Sequence, residues 1–147
     1  MRLSEPVLKQ LANYQAWVHA NPGAPPTLLD YVGFTASPDA LFSFAELFCP
    51  ELVVQHGYHF LASGLAPGTI EGWLEKGLDL RAIQRVVNHF HISTLFSGGE
   101  VSDDVAVEAA RVIAQIWSRT LAPEGLVAEA FGTDYATAGV TFYLGAD

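Results

Sequence analysis

The residues best suited to chemistry in this sequence are its histidines: His19, His56, His59, His89 and His91. Imidazole is the commonest metal ligand and the side chain whose charge switches near neutral pH. A zinc site needs three or four ligands brought together. His59, His89 and His91 are the best such set, with Cys49, Glu100 or Asp103 to complete it. Zinc or another divalent metal is the cofactor they would hold. Their spacing weakens this reading. On a helix, His89 and His91 lie ~200° apart around the axis and face opposite sides. A metal-binding helix sets its ligands four apart, as in His-Glu-x-x-His. A His-x-His pair chelates well on a strand, but the apolar spacing around it predicts a helix. His56 and His59 straddle a predicted turn, which does not aim them together. The plainer expectation places His91 against the core beside Val87 and Leu95, and His89 on a polar face with Arg81 and Arg85.

That face carries a second candidate. Arg81, Arg85 and His89 follow one another at four-residue steps and line up on one side of a helix. Such a row can hold an anion, a phosphate or a carboxylate. Equally, the three can pair with the acids around them. The remaining candidates reduce to structure. Asp103 and Asp104 look like paired carboxylates, but a helix start accounts for both. Cys49 follows a predicted helix, where the negative end of the dipole raises a thiol pKa instead of activating it. Ser97-Gly98-Gly99 lacks the lysine and spacing of a phosphate loop, and there is no Gly-x-Ser-x-Gly elbow. Trp17, Trp73 and Trp117 fall on predicted helices and are expected in the core. The catalytic residues are unknown, because no constellation emerges.

The elements that must position these residues are legible from caps, periodicity and turns. Ser4, with Glu5 and Pro6 in the first turn, starts a helix carrying Val7, Leu8, Leu11, Tyr14 and Val18 that stops at Asn21-Pro22-Gly23. Residues 22–36 read as a Pro- and Gly-rich surface loop, with room for a turn around 28–32. Ser37-Pro38-Asp39 starts a second helix, which Cys49-Pro50 ends. Leu52–Gln55 and Tyr58–Ala62 read as a hairpin about His56-Gly57. Short helical spacing over 67–76 ends at Gly77, and Asp79 caps a helix expected to reach about Leu95. Ser97-Gly98-Gly99 breaks the chain. Ser102 then caps the clearest helix, with Val105, Ala109, Val112, Ile113, Ile116 and Trp117 as its expected buried stripe. Residues 126–131 and 140–144 read as a second hairpin. The fold class that follows is α+β, with about five helices packed on one face of a small, mostly antiparallel sheet of three or four strands. One compact domain over 1–147 is expected, since no linker or repeat divides the chain.

Composition bounds the function. Of 147 residues, 50% are apolar and only 16% charged, against ~25% charged in a typical soluble domain. A chain of this size buries roughly 70% of its unfolded surface, so it needs no staple, and Cys49 has no partner for a disulfide. The apolar excess points to a self-association or partner-binding surface, so a homo-oligomer is expected. The net charge is −9. No lysine or arginine occurs between Gln10 and Glu75, whereas Asp30, Asp39, Glu46, Glu51, Glu71 and Glu75 do. There is no basic footprint for nucleic acid, and an acidic field disfavours anionic membranes while attracting basic partners. Glu5 and Lys9 interrupt the start where a signal peptide needs an apolar run, and no stretch is long enough to span a bilayer. A cytoplasmic protein is expected. The function these features favour is a non-enzymatic protein-binding module, in the manner of immunity proteins or antitoxins that neutralise a basic partner. Two alternatives stay open: a metal-binding protein or metal-dependent enzyme using His59, His89 and His91, and a small-ligand sensor whose mark would be a pocket lined by aromatics.

Overall fold

Helix caps written into the first third of the chain set its local structure. The computed structural model describes residues 3–23, 27–96 and 101–145. Its residues group into two compact units, Met1–Ala45 and Glu46–Asp147. In the first, α1 spans Glu5–Gln10 with Pro6 in its opening turn, and α2 spans Ala12–Ala20. The single helix predicted here is broken at Leu11, whose ψ of 83° leaves helical geometry. The Gln15 side chain donates to the Leu8 carbonyl over 2.8 Å, satisfying an acceptor that the break exposes. The loop predicted over 22–36 also gives way, because Leu28–Thr35 forms α3. Its start is a capping box: Thr27 Oγ1 accepts from the Asp30 backbone N–H, and the Asp30 carboxylate accepts from the Thr27 N–H. Helix α4 spans Pro38–Phe48, with Ser37 Oγ accepting from Ala40 N–H as predicted. Its last residues belong to the second unit.

The second unit is built on two antiparallel sheets. Strands β1 (Leu52–Gln55) and β2 (Tyr58–Leu61) form the predicted hairpin, with Gln55 opposite Tyr58. His56 and Gly57 between them both have positive φ, 51° and 79°, which suits the right-handed twist of a two-residue turn. Helices α5 (Thr69–Glu75) and α6 (Leu80–Val87) follow. Phe60, Ile70 and Ile83 are fully buried together and make one core. The second sheet takes β3 (Phe90–His91), β5 (Gly139–Leu144) and β4 (Leu126–Phe131), with β5 in the middle. Helix α7 (Asp103–Thr120) lies against β4 and β5. The main core gathers Ile92, Ala110, Ile113, Trp117, Val140 and Phe142 between them. Trp117 donates its indole N–H to the Leu47 carbonyl over 2.8 Å and meets Phe142 edge-on at 5.6 Å.

The α+β class is therefore as the sequence predicts, with seven α-helices and sheets of two and three strands among the described residues. The two additional helices come from the break at Leu11 and from α3. Two boundaries moved for tertiary reasons. The helix expected to reach Leu95 stops at Val87, because Asn88 turns inward, fully buried. Its side chain accepts from Leu61 N–H at 3.0 Å and donates to the carbonyls of His59 and Phe142. Gln84, one turn earlier and also fully buried, donates to the same His59 carbonyl and accepts from Leu144 N–H at 2.7 Å. These two amides clasp the hairpin to β5, and pairing of Phe90 with Val140 draws the following residues into a strand. The stripe on α7 is also rotated toward Ala106, Ala110 and Ala114, the small residues that let a helix approach a sheet closely. Gly139 serves closeness in the same way, since a Cβ there would strike the Phe131 ring and the Phe90 carbonyl. The break predicted at Ser97-Gly98-Gly99 lies outside the described residues. Among the described residues no helix is long and apolar enough to cross a membrane.

Candidate functional site

The histidines end up in places that the helical prediction does not give them. His91 sits on β3, and His89 in the turn before it. With the helix ended at Val87, the two rings do not point apart: they meet edge-on with centroids 5.0 Å apart, and His91 meets Phe131 at 5.6 Å. His89 Nδ1 contacts the Val86 carbonyl. His59 belongs to the hairpin, where its Nε2 lies 3.4 Å from a Glu124 carboxylate oxygen. His56 pairs in the same way with Glu71 at 3.5 Å. Cys49 is exposed, Asp103 accepts from the Tyr135 N–H at 2.8 Å, and Glu100 lies outside the described residues. Among the described residues no three of His, Cys, Asp and Glu come together as a metal site.

Arg81 and Arg85 share one face of α6, as the four-residue step requires, and both lie over Tyr143 of β5. The Arg85 guanidinium is 3.7 Å from the ring centroid and 3.7 Å from Glu129. Arg81 donates to the Leu144 carbonyl at 2.9 Å. Together with Asp79, Val127 and Gly145 they line an open depression of about 590 Å³. His89 is not among its lining residues. One Arg81 N–H is taken by the Leu144 carbonyl, and Arg85 is shared between the Tyr143 ring and the Glu129 carboxylate.

The least satisfied surface belongs to the first unit. Neither α3 nor α4 contains a buried residue. Leu29 is 78% exposed, Phe42 73% and Phe34 72%, and Val32, Leu41 and Phe44 are all more than half exposed. The charged side chains of these two helices are Asp30, Asp39 and Glu46, all acidic. The Asp30 carboxyl is held below its ordinary value, first by the Thr27 backbone N–H and then by the Thr27 hydroxyl, so its negative charge is secured beside this surface.

Between α2 and α3 the same unit forms a groove of about 470 Å³ lined by Asn13, Ala16, Trp17, Asn21, Tyr31 and Phe34, with Ala20. Trp17 is its centre. Tyr14 stacks near it with centroids 6.3 Å apart, Tyr31 lies at 5.5 Å, and Phe34 at 6.3 Å. Trp17 was expected in a core and instead lines an open groove, half-buried. The signal in the sequence was the repeated three-residue step of aromatics, Tyr14 to Trp17 and Tyr31 to Phe34, which places two rings on one side of each helix. It was hidden because residues 28–35 read as loop. Comparison with protein-family models, curated proteins and solved structures gave no match.

Proposed function

We propose that this chain is a protein-binding module whose first unit docks a basic partner through α3 and α4. The observation that carries this reading is that two helices rich in large apolar side chains bury none of their residues and carry only negative charge. Helices of 8 and 11 residues are marginal in water unless packing covers an apolar face. Six large apolar side chains stand open on them. At ~150–250 Å² for each aromatic, they offer an area of the order that one partner buries in a standard interface, ~800 Å². The acids decide the sign of the partner. A second copy docking face to face would bring Asp30, Asp39 and Glu46 against their own equivalents, and like charges across an interface cost affinity. A basic surface would meet them favourably and arrive faster. Neutralisation of a basic protein, such as a nuclease, is the concrete form of this function.

Native mass spectrometry of the chain purified gently from its own host at low salt tests it. The expected result is a stoichiometric complex with a basic protein, weakened by salt and absent for a folded Leu29→Asp, Phe42→Asp double variant. A complex that survives the double variant, or a partner of acidic composition, would overturn the reading.

A further inference from the structure

We propose that the groove between α2 and α3 is a slot for an organic cation, an alkylammonium or guanidinium group carried on a side chain of the partner. Trp17, Tyr31 and Phe34 supply the ring faces. The face of an aromatic ring is electron-rich, and a cation within ~6 Å of the centroid is attracted to it, most strongly over tryptophan. Ala16 and Ala20 lie one turn apart on α2 and keep the groove open, and Asn13 and Asn21 are the polar groups beside it. Among the described residues no charged side chain lines it.

The rest of the molecule shows why a cation is the ligand to expect. In the second unit two ring faces, those of Tyr143 and Trp73, are covered by the chain's own cations. Arg85 and Arg81 lie over Tyr143, and the Lys76 ammonium lies 4.5 Å from the Trp73 centroid. The first unit holds the larger cluster of rings, and neither α2 nor α3, which carry them, contains a lysine or arginine. Among the described residues that line the groove none is a cation, and the groove lies next to a helix whose only charge, Asp30, is negative. A neutral apolar ligand would gain from the ring area but not from that charge. This slot rests on the docking reading only for the source of its cation; the cation–ring contact itself can be measured without any partner.

The test is an NMR titration of the full chain, ¹⁵N-labelled, with tetramethylammonium chloride, sodium chloride and 3,3-dimethyl-1-butanol, whose tert-butyl head is the neutral isostere of a trimethylammonium group. The three indole N–H signals report Trp17, Trp73 and Trp117 separately, and Trp73, already beneath Lys76, is the internal control. The expected result is a saturable shift of Trp17, with tetramethylammonium bound about fivefold more tightly than the neutral isostere, the ratio that ~1 kcal/mol of cation–ring attraction supplies. Phe34 is exposed, so Phe34→Leu leaves the fold intact, keeps the apolar contact and removes a ring face; it should weaken tetramethylammonium alone. Equal binding of the neutral isostere, or no saturable shift at Trp17, would overturn the slot. If the slot fails while the Leu29→Asp, Phe42→Asp variant still abolishes the host complex, docking stands without it. If tetramethylammonium binds and no host complex forms, the slot stands and docking falls.

Discussion

The two units of this chain use the same kinds of residue for opposite ends. From Glu46 onward, apolar side chains close into cores: Trp117, Phe142, Phe60 and Ile70 are all sealed. Among the polar groups drawn in with them, the amides of Gln84 and Asn88 are answered by strand backbone and Thr141 by the Arg85 carbonyl. Up to Ala45, the large hydrophobic residues buried among the described ones are Val7 and Tyr14, while leucines and phenylalanines such as Leu29, Phe34 and Phe42 are largely exposed. High apolar content is therefore two different quantities in one chain. In one unit it is cohesion; in the other it is surface that must be covered for its area to count toward stability.

This contrast can be broken by substitution. The largest effect should come from Phe142→Ala, which empties the centre of the main core and should cost about 3–5 kcal/mol in urea unfolding. Asn88→Ala should follow at about 2–4 kcal/mol, because the Leu61 N–H and Phe142 carbonyl lose a buried partner. A loss below about 1 kcal/mol would show that the amide clasp is not what joins hairpin to sheet. In the first unit, Thr27→Ala removes the cap of α3 and should weaken that helix by about 1 kcal/mol, read as faster amide exchange over 28–35. Phe42→Ser should change global stability by less than about 0.5 kcal/mol; a drop of core size would erase the distinction between the units. The smallest effect is electrostatic. The Asp30 carboxyl is lowered in the folded chain by Thr27, so its contribution is fully present above the ordinary carboxylate range and is lost as pH falls through the lowered value. Exchange protection of α3 should decline on acidification, and Asp30→Asn should flatten that decline.

What could be read from the chain alone follows the same division. The hairpin about His56-Gly57, the caps at Ser37, Asp79 and Ser102, and strands β4 and β5 were legible because each is specified by neighbours in sequence. The end of α6 was not. Arg81 to Leu95 keeps helical spacing, and only the distant backbone of Leu61 and Phe142, waiting for Asn88, ends the helix early. That error propagated to the histidines, since the angle between His89 and His91 follows from whether their backbone is helix or strand. The row of Arg81 and Arg85 was legible; that Tyr143 lies beneath it was not, because 58 positions or more separate the partners. The groove was missed for a local reason. Thr27-x-x-Asp30 is a cap signature, but it follows a run of prolines and glycines whose loop character overrode it.

One consequence of the strand order concerns synthesis. The middle strand of the three-stranded sheet, β5, is made after both strands that pair with it. While the chain is being translated, β3 and β4 have no ladder to join, and the alanine face of α7 has nothing from β5 to lie on. Asn88 and Gln84 reach their partners 54 and 60 positions downstream only when β5 has emerged. The three-stranded sheet thus cannot close step by step as it leaves the ribosome; its strands pair only once β5 has emerged. Helices α1–α4 come out first, before any strand of that sheet.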